Sequence, residues 1–200
     1  MEKTWKKHGK NMRAFSSSYV YHCLLPTNPT VPWHPLIWIK RGIPKHQTQA
    51  WLMQLNRSRT RDRLLSWGIQ VDPLCLLCNQ GNESRDHLFF SCSFSAVVWC
   101  HFSTSFGIIT PSTSWSDVAQ SLMALPGNQN IKYLSTVTWQ ATIYTLWWER
   151  NDRLHRGTHR SPNILIKKIS SIIKNRISAL RPQQNTLASD LLQLWFTLFP

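Results

Sequence analysis

The chain is short of acid. Nine Asp and Glu residues stand against 23 Lys and Arg in 200 residues, a formal net charge of +14 with His neutral. No Asp-Asp pair is present to hold two metals for phosphoryl transfer. The sequence also lacks a G-x-S-x-G elbow, a phosphate-binding GxxxxGK[ST] loop and a G-x-G-x-x-G turn. These absences argue against an enzyme and against a small-molecule substrate. No apolar run approaches the roughly 20 residues needed to span a bilayer, so no membrane partner is expected. The basic N-terminus is not followed by the apolar stretch of a secretory signal. An intracellular chain with reduced thiols is therefore expected, and five cysteines cannot all pair in any case. No internal repeat is present.

What the sequence does carry is one cluster of soft ligands. Residues 75–92 place three thiols and one imidazole at C-x2-C-x8-H-x4-C. A tetrahedral Cys3His site takes two ligands from one tight turn and two from a second short element. Cys75 and Cys78 supply the first pair from a knuckle, and His87 and Cys92 the second from a helical turn. Four protein ligands leave no open position for an activated water, so one structural Zn²⁺ is expected, not a catalytic one. Glu83 and Asp86 lie close enough in sequence to support the ligands. Cys100, His101, Cys23, His155 and His159 read more simply as core or surface residues.

The basic excess is grouped. Lys3, Lys6, Lys7, Lys10 and Arg13 form one set; Arg57, Arg59, Arg61 and Arg63 a second; Arg150, Arg153, Arg156 and Arg160 a third. Lys167, Lys168, Lys174, Arg176 and Arg181 form a fourth. Such a balance attracts polyanions, so RNA or DNA is the expected partner. The set nearest the ligand cluster, Arg57, Arg59, Arg61 and Arg63 with Arg85, is the expected contact surface. Glu149 with Arg153, and Asp152 with Arg156, read as ordinary helix ion pairs.

The apolar spacing predicts a mainly α protein: a helical domain with an inserted zinc knuckle, followed by a helical C-terminal region. A basic, loosely ordered tail is expected over 1–13, the zinc-binding domain over 14–102 and the C-terminal region over 103–200. Helices are expected over 14–25, from Pro44 to about 56, and from an N-cap at Thr60 with Leu64, Leu65 and Trp67 inward. Gly68 suits the left-handed residue that closes this helix. Further helices are expected over 94–102, 114–125 (Ser114 and Asp117 forming a capping box), 129–155, 162–180 and 187–199. Trp33 and Trp38 read as core anchors. The β-branched residues Val137, Thr138, Thr142, Ile143 and Thr145 weaken the case for the longest helix.

The ordered set of Trp33, Trp38, Pro44, Trp51, Thr60-Arg61-Asp62-Arg63-Leu64, Cys75-Leu-Leu-Cys78, Glu83, His87-Leu88-Phe89-Phe90-Ser91-Cys92 and Trp99 resembles a known family. It is similar to the zinc-binding domain that follows plant non-LTR (LINE-type) reverse transcriptases. The resemblance covers about residues 15–99, and Trp148-Glu149-Arg150-Asn151 resembles a segment that often follows. It implies zinc on Cys75, Cys78, His87 and Cys92 and a part in nucleic-acid handling during retrotransposition. Leu76 and Asn79 depart from the Pro and Gly usual after the two knuckle cysteines. No polymerase or endonuclease segment accompanies the domain. A structural or protein-interaction module, or an inert retroelement remnant using zinc only to fold, is the alternative expectation.

Overall fold

The computed structural model describes residues 5–7, 10–12, 17–24, 30–108 and 112–200. The chain divides into two compact units, Met1–Pro32 and Trp33–Pro200. In the first, β1 (Trp5–Lys7) pairs antiparallel with β2 (Lys10–Met12), Lys6 opposite Asn11, and α1 spans Ser17–Leu24. Strand pairing thus stands within the segment expected to be a loose tail. The helix expected over 14–25 is described for 17–24; its ends, and the side chains of His22 and Cys23, lie outside the described residues.

The second unit is helical. Its elements are α2 (His34–Ile37), α3 (Pro44–Gln54), α4 (Arg61–Ser66), a π turn (His87–Ser91), α5 (Ser93–Ser105), α6 (Trp115–Met123), α7 (Gln129–Arg156), α8 (Pro162–Ser178) and α9 (Asn185–Leu198). Residues on both sides of position 102 share this one compact unit.

Helix α7 is the axis of the unit. It packs against α3, α5, α6, α8 and α9. Ten consecutive residues, 134–143, are buried, so the helix is surrounded and not merely laid on a core. That environment explains why its β-branched run is tolerated. Val137, Thr138, Thr142, Ile143 and Thr145 fill the core, and packing outweighs their modest helix cost. Asn128 caps the start, its side chain accepting from the Asn130 and Ile131 N–H groups at 3.1 and 3.0 Å. Gly157 closes the end at φ 63°, the left-handed conformation Gly adopts at least cost.

Around this axis the aromatic residues interlock. Trp115 lies 5.3 Å from Trp139, 5.9 Å from Phe89 and 5.7 Å from Phe90, ring centre to ring centre. The Trp115 indole donates to Gln54 Oε1 at 2.8 Å, whereas the buried indoles of Trp99 and Trp139 have no hydrogen-bond partner. Gln140, fully buried on α7, donates to the carbonyls of Leu36 and Ile37 at 2.8 and 2.9 Å and so ties down the end of α2. At the start of α6, Ser114 accepts from the Asp117 N–H as a capping residue should, but Asp117 does not reciprocate. Its carboxylate takes the hydroxyl of Ser112 instead.

Three expectations are corrected here. Helix α4 buries no residue: Leu65 and Trp67 face solvent, and the Arg63 guanidinium lies 5.2 Å from the Trp67 ring. Six residues are too short to make a core-facing stripe, so α4 is held at its N-terminus instead, as described below. Trp38 is not a core anchor; it is 41 % exposed, tilted against Trp51 at 6.1 Å. Cys100 is only half-buried on α5.

Candidate metal centre

The ligand loop is closed by backbone first. Leu74 and Asn82 bridge antiparallel, the Cys75 N–H donates to Gly81 O at 2.7 Å, and the Glu83 N–H to Pro73 O at 2.8 Å. Within this small loop the knuckle turns tightly. The Asn79 N–H donates to Cys75 O at 2.8 Å, and the Leu77 N–H points at Cys75 Sγ at 3.4 Å. Asn79 takes φ 55°, which explains why a residue other than Gly is tolerated after Cys78. Asn enters the left-handed region more readily than other side chains. Gly81 is needed for space, not flexibility: a Cβ there would come within 2.7 Å of His87 Cε1.

The second ligand pair stands on the π turn. Five residues along an α-helix leave a side chain about 140° away from the first. The wider winding, in which the Cys92 N–H donates to His87 O at 2.8 Å, brings residue 92 back beneath residue 87. The helical turn expected here is therefore real but of the wider kind. Ser84 Oγ accepts from the His87 N–H at 3.2 Å and starts the turn. Asp86 does not cap it; Asp86 accepts from the Trp115 N–H at 3.1 Å and starts α6 instead.

The four candidate ligand atoms all lie within 4.8 Å of one another. Cys75 Sγ and Cys92 Sγ are 3.9 Å apart, and Cys78 Sγ lies 3.3 Å from His87 Nε2. Tetrahedral zinc with Zn–S of about 2.3 Å and Zn–N of about 2.0 Å sets sulfurs about 3.8 Å apart and sulfur and nitrogen about 3.5 Å apart. The donor set and the separations fit one zinc ion with a closed shell, and Cys75, Cys78, His87 and Cys92 form that site.

Its electrostatics favour thiolate at Cys92 and thiol at Cys75. Cys75 and Cys92 are both fully buried and behave as one dyad. Donation from the Cys75 thiol, despite burial, lowers Cys92 below the usual thiol range. The N–H groups of Ser95 and Phe94, free at the start of α5, add to this. The Cys75 proton is held, by that same hydrogen bond and by burial. A cation that replaces the shared proton satisfies both sulfurs.

Glu83 is the brace of the loop, and α7 is what it braces against. Its fully buried carboxylate receives Arg150 Nη2 at 2.8 Å, the Arg61 N–H at 3.0 Å and the Leu76 N–H at 3.4 Å. The Asp62 N–H donates to the Glu83 carbonyl at 3.1 Å. Glu83 thus caps α4 across the chain, while the hydroxyl of Thr60, the expected cap, is buried without a partner. A second tie runs through Arg153, whose Nη1 donates to Leu76 O and Leu77 O at 3.2 and 2.8 Å. Arg153 is held by Glu149 at 2.9 Å, and Glu149 also takes the N–H and guanidinium of Arg160 at 2.9 and 3.0 Å. Burial pushes the Glu149 carboxyl up, but Arg160 and Arg153 outweigh it and hold the group below its usual range. Both expected i,i+4 helix pairs are present; Asp152–Arg156 leaves Arg156 exposed, whereas Glu149–Arg153 is buried and also braces the knuckle.

The arginines named from sequence therefore divide. Arg57 and Arg59 are exposed and make no ion pair among the described residues. Arg61 reaches Leu74 O at 2.6 Å and Asp72 at 3.2 Å. Arg85 pairs with Asp86 at 2.8 Å and covers the Trp115 ring. Arg63 is half-buried over Trp67. Sequence reasoning missed Arg150 and Arg153 as supports of the site. Their spacing from Glu149 was visible, but their partners lie far off in the chain.

A helical unit whose ligand loop gathers three cysteine sulfurs and one imidazole is a zinc-binding module. Residues 15–99 match the family described as zinc-binding in reverse transcriptase. That stretch holds all four ligands and Glu83 but neither Arg150 nor Arg153. Comparison with curated proteins and with solved structures gave no significant match. No helix among the described residues is long and apolar enough to cross a membrane.

Proposed function

We propose that this chain is a non-catalytic nucleic-acid-binding module derived from a LINE-type reverse transcriptase, acting inside the cell, in which zinc serves the fold. Arg57 and Arg59 are the principal contacts. Arg61, Arg63 and Arg85 set the surface on which they stand. The observation that carries this reading is local. Arg57 and Arg59 are exposed and without carboxylate partners among the described residues, and they immediately precede α4, which Arg61 and Glu83 fasten to the zinc loop. Zinc thereby fixes a cationic surface that repels few ligands, since the chain has so little acid.

A salt-dependent titration of the zinc-loaded protein with RNA and DNA tests it. Affinity should fall steeply with salt, and Arg57→Ala with Arg59→Ala should reduce the slope of log K against log salt by about two. Absence of salt-sensitive binding overturns it. A second reading, a protein-docking module, rests on Leu65, Trp67 and Ile69, exposed together at the end of α4. It is favoured if Trp67→Ala abolishes a protein partner and leaves nucleic-acid affinity unchanged.

A further inference from the structure

A groove of about 600 Å³ opens between the α2 corner, the start of α7, the end of α6 and the first half of α9. Its floor is apolar, built from Leu36, Leu122 and Leu191. Trp38 lines it with much of the indole in solvent. Lys40, Arg41 and Lys132 stand around the same opening, and no carboxylate lines it among the described residues. Gln129 and Asn130 also line it.

The corner carrying the cations is fixed. Arg41 holds φ 64°, a conformation that costs an ordinary side chain about 1 kcal/mol. Its carbonyl is gripped twice, by Tyr133 Oη at 3.0 Å and Arg176 Nε at 2.8 Å. On the other side of the turn, Gln47 Nε2 donates to Ile39 O at 2.7 Å. Strained backbone persists where surrounding contacts over-determine it, and such positions cluster at ligand sites. Here the effect is to present Lys40 and Arg41 beside Trp38 without leaving the turn free to collapse over the groove.

An exposed indole beside an apolar recess, with Gln129 and Asn130 in its lining and cations without acids around it, matches an unpaired nucleotide. The base has two apolar faces and a polar edge, and the phosphates carry the charge. A duplex keeps its bases stacked inside and offers nothing to fill a recess. We infer that this groove takes an unpaired base of single-stranded nucleic acid, stacked on Trp38, with its flanking phosphates on Lys40, Arg41 and Lys132. The inference rests on the nucleic-acid reading above and adds a preference for single strands and a second surface.

The test is fluorescence anisotropy on the zinc-loaded full chain, with a labelled mixed-sequence 12-nucleotide single strand and the matching duplex, at two salt concentrations. The single strand should bind more tightly than the duplex. Trp38→Ala should weaken the single strand about tenfold, as loss of one stacking contact does, and leave the duplex almost unchanged. Lys132→Glu, on an exposed residue whose loss does not threaten the fold, should weaken both the affinity and its salt slope. If Trp38→Ala and Lys132→Glu bind the single strand as the parent does while Arg57→Ala with Arg59→Ala does not, the groove assignment fails and the broader reading stands. If an acidic amphipathic peptide displaces the strand only from the parent and not from Trp38→Ala, the groove is shared and the inference holds. If the parent binds neither strand nor duplex, both readings fail.

Discussion

Asn79 shows how one backbone angle can substitute for a missing glycine. At φ 55° an ordinary side chain meets its own backbone, and Asn offsets part of that cost through its short polar side chain. Asn79→Gly should therefore leave stability unchanged or raise it slightly, whereas Asn79→Val should lower it by about 1–2 kcal/mol. The urea midpoint of the zinc-loaded protein reads both. His46 poses a different problem. Both ring nitrogens are buried without partners, and the ring stacks on Tyr144 at 4.4 Å. Burial first, and then the neighbouring Lys45, lower its pKa to about 4. The unfolded chain protonates this histidine near pH 6.5, so the folded state binds fewer protons between the two values. The stability it contributes is fully present above pH 6.5 and is lost as pH falls towards 4, by about 3 kcal/mol in all. In His46→Phe that share of the pH dependence should vanish. The comparison is made with excess zinc at each pH, because the zinc ligands also take up protons in acid. Equal slopes for parent and variant would refute the assignment.

Among the elements, the knuckle, α4 and the C-terminal part of α7 meet at one carboxylate. Removing the charge of Glu83 leaves Arg150 buried and unpaired, which typically costs about 3–5 kcal/mol. Glu83→Gln should therefore destabilise the protein by roughly that much and weaken zinc retention in a chelator competition. Replacing both Glu83 and Arg150 by leucine should recover part of the loss, since two apolar groups leave no stranded charge. The four zinc ligands were legible because their spacing is a covalent constraint on a short loop. The caps at Ser114 and Gly68, the latter at φ 78°, were legible for the same reason: capping acts over a few residues. Glu83 was visible only as a nearby acid. Its partner Arg150 is 67 positions away, and nothing in a local pattern announces such a pairing. Trp67 and Trp38 were misjudged because an apolar residue on a short helix or corner buries only if another element covers it.

At the scale of the molecule, zinc and the C-terminal helices belong to one folding unit. α7 lies against α3 and α5, and its arginines hold the knuckle. A fragment of residues 33–102 should then show no cooperative unfolding transition even when saturated with zinc, although it carries every ligand. Calorimetry or circular dichroism against the full chain checks this, and a fragment that melts cooperatively would show the ligand loop to be self-sufficient. Conversely, removing zinc from the full chain should lower the thermal midpoint and disturb the near-ultraviolet signal of the tryptophans around Trp115, well beyond the loop itself.

The position of α7 late in the chain also sets an order of events during synthesis. Cys92 leaves the ribosome 58 residues ahead of Arg150, an interval of roughly 3–12 s at ordinary elongation rates. Throughout it the ligands are complete while their brace is still being translated, and the aromatic faces of α3, the π turn and α5 have nothing to cover them. The nascent protein thus passes through a stage that can capture metal but cannot yet bury its core, and chaperones have most to protect in those seconds.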